Sequence, residues 1–293
     1  MNNTLSALVA GHLLALDWNA AAPDLARAMP DDISSGAMAQ ADFELQGGVA
    51  VVSINGILTP DSAVARYLGW ATYHGIESVC SELMADDRVE TVVFRVSSAG
   101  GLVMGCADAV AAIAGLTAQK RTIARVDPLA TSAAYWLASQ CSEVSSGAGG
   151  VVGSIGVMQR KSSPVAPSQS GDQSGIYLSE HARAKSPDHM TDEGRALIMA
   201  DLNAAEAEFH ADVARGRGVS IEDLRAALSK TDDPRDGGGT FSGGAAVAAG
   251  LVDVLETRSE FMARLMAGDP PTRRPSRSRS AAARARVASA LNY

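Results

Sequence analysis

From Gly47 onward the chain alternates short β-branched runs with stretches of helical spacing, and that alternation restricts it to α/β architectures. Val49-Ala50-Val51-Val52-Ser53-Ile54 reads as a strand that ends at Asn55-Gly56. Ile76 to Met84 has helical spacing, Val92 to Val96 is a buried-strand pattern, Cys106 to Leu116 is a second helix, and Thr122 to Val126 is a further strand. Strands joined through helices pair in parallel, so the sheet is expected to be largely parallel, with its strand ends converging on one site. At 46% hydrophobic and only 4% aromatic residues, the chain has the material for a large aliphatic core.

Glycine-rich turns punctuate this pattern where chemistry is expected. Val92-Val93-Phe94-Arg95-Val96 runs into Ser97-Ser98-Ala99-Gly100-Gly101, where two glycines let the backbone present N–H groups at a strand end. Gly149 to Val157 is a short β-branched run broken by glycines around Ser154, as expected where backbone closely approaches a ligand or a strand. Between these lies Ala130-Thr131-Ser132-Ala133-Ala134-Tyr135-Trp136, which places Ser132 at the start of a helix. The plain role for such a serine is an N-cap. The chemical role is a nucleophile whose oxyanion would be held by free N–H groups of that helix start and of the glycine turn, those of Ala133 and Gly101.

A serine hydroxyl needs a base, and a lysine serves only when burial lowers its pKa. Lys185, in Ala184-Lys185-Ser186-Pro187-Asp188, is the candidate. Lys120, Lys161 and Lys230 sit in polar segments where their charge is expected to stay solvated. No histidine lies between Ser132 and His181; His181 and His189 flank Lys185 with Asp188 beside them, so spacing leaves a histidine triad open.

Other chemistries find no support. Cys80, Cys106 and Cys141 have no metal-ligand spacing and cannot form a complete disulfide framework; their apolar neighbours point to buried, reduced thiols. No metal or cofactor is expected: Gly100-Gly101 and Gly237-Gly238-Gly239 lack the lysine and hydroxyl residue of a phosphate loop and the full dinucleotide fingerprint.

The net charge of −8 hides an asymmetry. Gly268 to Tyr293 holds six arginines against one aspartate, opens with Pro270-Pro271, and reads as a disordered tail with an alternative role as a contact to scaffold or nucleic acid. At the other end, Leu5 to Leu16 is apolar but too short to span a bilayer, lacks a basic leader, and is expected to be a packing helix; Pro30 to Gln46 reads as an acidic linker. Gln159 to Gly175 is expected to be a mobile loop, and Thr191 to Arg217 a long amphipathic helix whose apolar stripe is core or subunit contact. The division is residues 1–46 as helix and linker, 47–265 as the main domain and 266–293 as the tail.

From Gly47 to Glu256 this series resembles the S49 peptidases, which include the signal-peptide peptidase A enzymes and the capsid-maturation proteases of tailed phages. The resemblance implies a ClpP/crotonase-like spiral of strand-strand-helix units and an ATP-independent serine endopeptidase assembled as a ring-like homo-oligomer. It assigns Ser132 as nucleophile, Lys185, 53 residues later, as base, and Ser154 as the residue that orients the lysine. Ala99 stands where the family carries a proline before the glycine pair. The absence of a membrane segment and the basic tail favour the phage branch, with scaffold, portal or coat protein, or the chain itself, as substrate inside an assembling capsid in the cytoplasm of a bacterial host. Alternatives are a cytosolic peptide hydrolase of the same fold, a silent assembly module and, more distantly, a crotonase-type acyl-CoA enzyme.

Overall fold

The computed structural model describes residues 4–28, 43–161, 178–231 and 233–268. In chain order the elements begin with β1 (Leu14–Leu16), α1 (Trp18–Leu25), β2 (Phe43–Gln46), β3 (Val49–Leu58), α2 (Ala63–Tyr67), α3 (Tyr73–Ala85) and β4 (Thr91–Leu102). They continue with α4 (Cys106–Gln119), β5 (Arg121–Thr131), α5 (Ala133–Ala138), β6 (Glu143–Ser146), β7 (Val151–Gly153) and α6 (Asp192–Arg217). The last are α7 (Ile221–Leu228), β8 (Thr240–Ser242), α8 (Gly243–Ala248), β9 (Val254–Leu255) and α9 (Arg258–Met266).

The expected α/β sheet is present and largely parallel. Its main path runs β2-β3-β4-β5-β6-β9; the β3/β4, β4/β5, β5/β6 and β6/β9 pairs are parallel, and β2 is antiparallel on β3. β4 lies inside this path and contributes to apolar packing on both faces, with Arg95 and Ser97 exposed on the second. Val92, Phe94 and Val96 join α3, α4 and α5 in the principal core, while Val93 packs with Ile123 under Phe261 of α9 on the opposite face. Local signals set the helix ends: the Thr72 hydroxyl accepts from Gly75 N–H at 3.1 Å to start α3, and α6 stops at Gly218, whose φ of +64° suits a glycine.

Two segments depart from expectation. Leu5 to Leu16 is not one helix: Leu5–Leu8 is a 3-10 turn, Gly11 has a φ of +77°, and β1 pairs antiparallel with the end of β4. A vacant strand edge there offers backbone bonds that a short helix ending at a glycine cannot match. The described end of the expected linker is likewise β2, paired with β3. Of the expected mobile loop Gln159 to Gly175, residues 162–175 lie outside the described residues, as does the expected arginine-rich tail beyond Gly268. The cysteines are free and buried, as expected. Burial pushes the Cys80 and Cys106 thiols up to about 12. No helix among the described residues is long and apolar enough to cross a membrane.

Candidate active site

β4 and β5 run side by side until β5 ends at Thr131, and Ser132 turns the chain sharply into α5. Ser132 has φ 58° and ψ −126°, a backbone state that a side-chain-bearing residue holds only when its surroundings enforce it. The enforcement is visible: its N–H donates to Gly153 O at 2.8 Å, and its carbonyl accepts from Trp136 N–H at 2.9 Å. Trp136 is itself fixed, stacked on Phe209 of α6 with ring centroids 4.2 Å apart and with Nε1–H donating to Asp212 at 2.9 Å.

The capping role is not what Ser132 performs. Its hydroxyl makes no cap bond, is buried and has no hydrogen-bond partner among the described residues. A buried, unpaired hydroxyl is costly unless something is meant to meet it.

Around this hydroxyl the structure gathers the glycine turns. Gly100, at φ +97°, leaves room where a Cβ would strike Ala15 O and lie 2.8 Å from Ala133 N and 2.9 Å from Ser132 Cβ. Gly101 packs on Leu58, whose carbonyl carbon would be 2.6 Å from any added Cβ. Ser98 holds this turn, its hydroxyl accepting from Gly100 N–H at 3.1 Å and donating to Gly56 O at 2.6 Å. Ala133 is the first residue of α5, where an N–H has no intrahelical acceptor. β7 pairs with β5 at Thr131 and Gly153, so Ser154 follows directly beside Ser132; it too has a positive φ, 53°, and its N–H donates to Gly239 O at 2.9 Å.

The structure thus brings together Ser132, Ser154, Ala133 and the Gly100-Gly101 turn. It does not bring Lys185 to them. Lys185 ends a 3-10 turn, Arg183–Lys185, is exposed, and its side chain makes no hydrogen bond or ion pair among the described residues. Neither His181 nor His189 bonds Ser132 through its ring.

Lys230 is exposed, as expected, yet it is not without partners. Its ammonium donates to Thr240 O at 2.7 Å and lies 3.4 Å from the Phe241 ring centre, and loss of solvent lowers its pKa below the ordinary lysine value. Its aliphatic chain lies along Gly239, the residue that holds Ser154. His210 of α6 was also not singled out by sequence. It is buried, accepts from the Arg225 guanidinium at Nδ1 over 3.2 Å, and burial lowers its pKa. Both side chains acquire part of their surroundings from residues beyond their own helical turn, Phe241 for one and Ile155 and Arg225 for the other, so no local pattern marks them.

A strained serine at a strand-to-helix turn, beside the first N–H of a helix and a glycine turn, is the arrangement of a serine hydrolase. The chain belongs to peptidase family S49, whose model matches residues 114–269, and it is accordingly a serine peptidase by family. No curated protein gives a significant match. Among solved structures, an enoyl-CoA hydratase/isomerase family protein from Silicibacter pomeroyi is 14% identical, with a TM-score of 0.45 and coverage of 77% of this chain and 79% of that one. An enoyl-CoA hydratase from Mycobacterium avium subsp. paratuberculosis is 18% identical, with a TM-score of 0.43, covering 85% and 84%. A mutant of the 1510-N membrane-bound stomatin-specific protease is 14% identical, with a TM-score of 0.40, covering 75% and 86%. Likenesses this distant carry no argument about the site.

Proposed function

We propose that the protein is an endopeptidase in which Ser132 attacks the peptide carbonyl, a neutral lysine takes its proton and returns it to the leaving amine, and the N–H groups of Gly101 and Ala133 hold the oxyanion. The observation that supports this most directly is the Ser132 hydroxyl, buried and unpartnered on a strained backbone beside the Gly100 turn. Lys185 is the proposed base and Ser154 its orienting partner. Since Lys185 is exposed here, the role requires its ammonium to be carried to Ser132 and stripped of water when substrate or a second subunit completes the site.

One observation favours a second base. Lys230, though exposed, donates to Thr240 O next to Gly239, the residue that holds Ser154, and partial desolvation lowers its pKa. Hydrolysis of a fluorogenic peptide library by Ser132→Ala, Lys185→Ala and Lys230→Ala proteins separates the readings. Loss of Ser132 and of the true base should each lower kcat/KM by at least about a thousandfold with melting temperature preserved. Near wild-type turnover by Ser132→Ala would sink the proposal; near wild-type turnover by Lys185→Ala with loss in Lys230→Ala moves the base to Lys230.

The proposed setting is head maturation of a tailed phage in the host cytoplasm, with scaffold, portal or coat protein as substrate and a homo-oligomeric ring as the working form. Exposed Met190, Leu197 and Met199 at the start of α6 and just before it support self-association.

A further inference from the structure

β1 lies across the site as a bound peptide would. Leu14, Ala15 and Leu16 run antiparallel to Leu102, Gly101 and Gly100. Two bonds flank this pairing: Val103 N–H to Leu13 O at 3.0 Å, and Asp17 N–H to Ala99 O at 2.8 Å. The alternation of an antiparallel ladder then makes Ala15 and Gly101 the bonded pair between them, with Gly101 N–H donating to the Ala15 carbonyl. On its other edge Leu14 exchanges both backbone bonds with Met158, at 2.8 and 2.9 Å, just past the Ser154 turn. The strand is therefore clamped from both sides, the way an extended peptide is captured by strand addition.

The register matters more than the occupancy. The Ala15 carbonyl oxygen, Ala133 N and Ser132 Cβ all border the small space that Gly100 leaves open. The Ser132 hydroxyl, 1% exposed as a residue and without a partner, is buried in the same place. Ala15 itself is fully buried in the main core, so the position accepts a small side chain.

We propose that β1 occupies the peptide groove in the register of a substrate, presenting the Ala15–Leu16 bond to Ser132, and that the chain cuts itself there. This rests on the serine-peptidase reading above. Ser132 Oγ bonds to the Ala15 carbonyl carbon while the base takes the hydroxyl proton, and Gly101 and Ala133 N–H hold the resulting oxyanion. Collapse breaks the bond from that carbon to the Leu16 nitrogen, which leaves as an amine with the proton returned by the base. Water then hydrolyses the Ala15–Ser132 ester, freeing residues 1–15 with a new carboxylate and restoring the hydroxyl.

The test follows purified full-length protein by intact mass and N-terminal sequencing over time, with Ser132→Ala and Leu14→Pro beside it. Wild type should convert to a chain that begins at Leu16, at a rate independent of protein concentration, and Ser132→Ala should stay whole. Leu14→Pro removes the N–H that binds Met158; it should slow that cut by about tenfold, the weight of one buried hydrogen bond, and speed labelling of Ser132 by a fluorophosphonate. If the probe labels Ser132 in the Leu14→Pro protein while wild type stays intact or is cut at other bonds, the self-cleavage inference falls and the peptidase reading stands. If Ser132 is labelled in neither protein, both fall.

Discussion

Replacing Arg264 with methionine should destabilise the fold severely without touching the site. Arg264 of α9 reaches Glu143 of β6, a residue with no exposed side-chain surface, through Nη1 at 3.2 Å and a second contact from Nη2. It also binds Glu256 through Nε at 3.0 Å and Nη2 at 2.6 Å. Without the guanidinium, Glu143 keeps Arg121 at 3.9 Å as its nearest ion-pair partner, too far for a hydrogen bond. Stranding one member of a buried pair costs about 3–5 kcal/mol, which for a domain of this size lowers Tm by roughly 6–20 °C. Calorimetry of wild type, Arg264→Met, Glu143→Gln and the double variant closes a thermodynamic cycle. The double variant should recover about 1–3 kcal/mol of the summed single losses, because the two groups act as a unit. A single variant within about 1 kcal/mol of wild type, or strict additivity, would refute the claim that this pair anchors α9.

Two further outcomes are expected. Trp136→Ala should lose about 3–5 kcal/mol in urea titration, since it empties a fully buried site against Phe209, and Trp136→Phe should retain the packing and lose only the Asp212 bond. Acid should destabilise the protein in part through Glu256. Burial acts to raise its pKa, but the Arg264 and Ser145 hydrogen bonds outweigh that and hold it below the usual carboxylate range. A lowered folded pKa means the stabilisation is present above the unfolded value of about 4.3 and is lost as pH falls through the folded one, so Tm should drop below about pH 4.5, less steeply in Glu256→Gln.

The sheet and its covering helices are legible in the sequence because their signals are local: two-residue alternation or continuous apolar runs for strands, and 3.6-residue spacing with Thr72 or Thr191 as caps for α3 and α6. Ser132 is legible as a residue of interest for the same reason, standing between a strand pattern and a helix pattern. Its backbone state is not, because a φ of 58° is imposed by the Gly153 carbonyl and by the fixing of Trp136 against α6, contacts made across the fold. β1 fails to show for a related reason. Leu14-Ala15-Leu16 has no strand character of its own and becomes a strand because the end of β4 and Met158 both offer unpaired backbone.

The placement of these features explains why stability and chemistry can be altered separately. The Arg264–Glu143 pair lies where β6 begins, opposite Ile123 near the start of β5, whereas Ser132 follows the last residue of β5 and the Gly100-Gly101 turn occupies the far end of β4. Parallel strands put all their C-terminal ends on one side, so the groups that must meet a peptide converge there while the ion pair is buried at the other end. Among the described residues the one element that joins this end from outside the parallel set by pairing with β4 is β1, and it does so antiparallel, with its carbonyl at Ala15 bordering the space beside Ser132. Burial of Leu14 and Leu16 in one apolar cluster and of Ala15 in the main core fixes this register. In that register the Ala15 carbonyl borders the Gly100 gap beside Ser132, the placement on which the proposed self-cleavage rests.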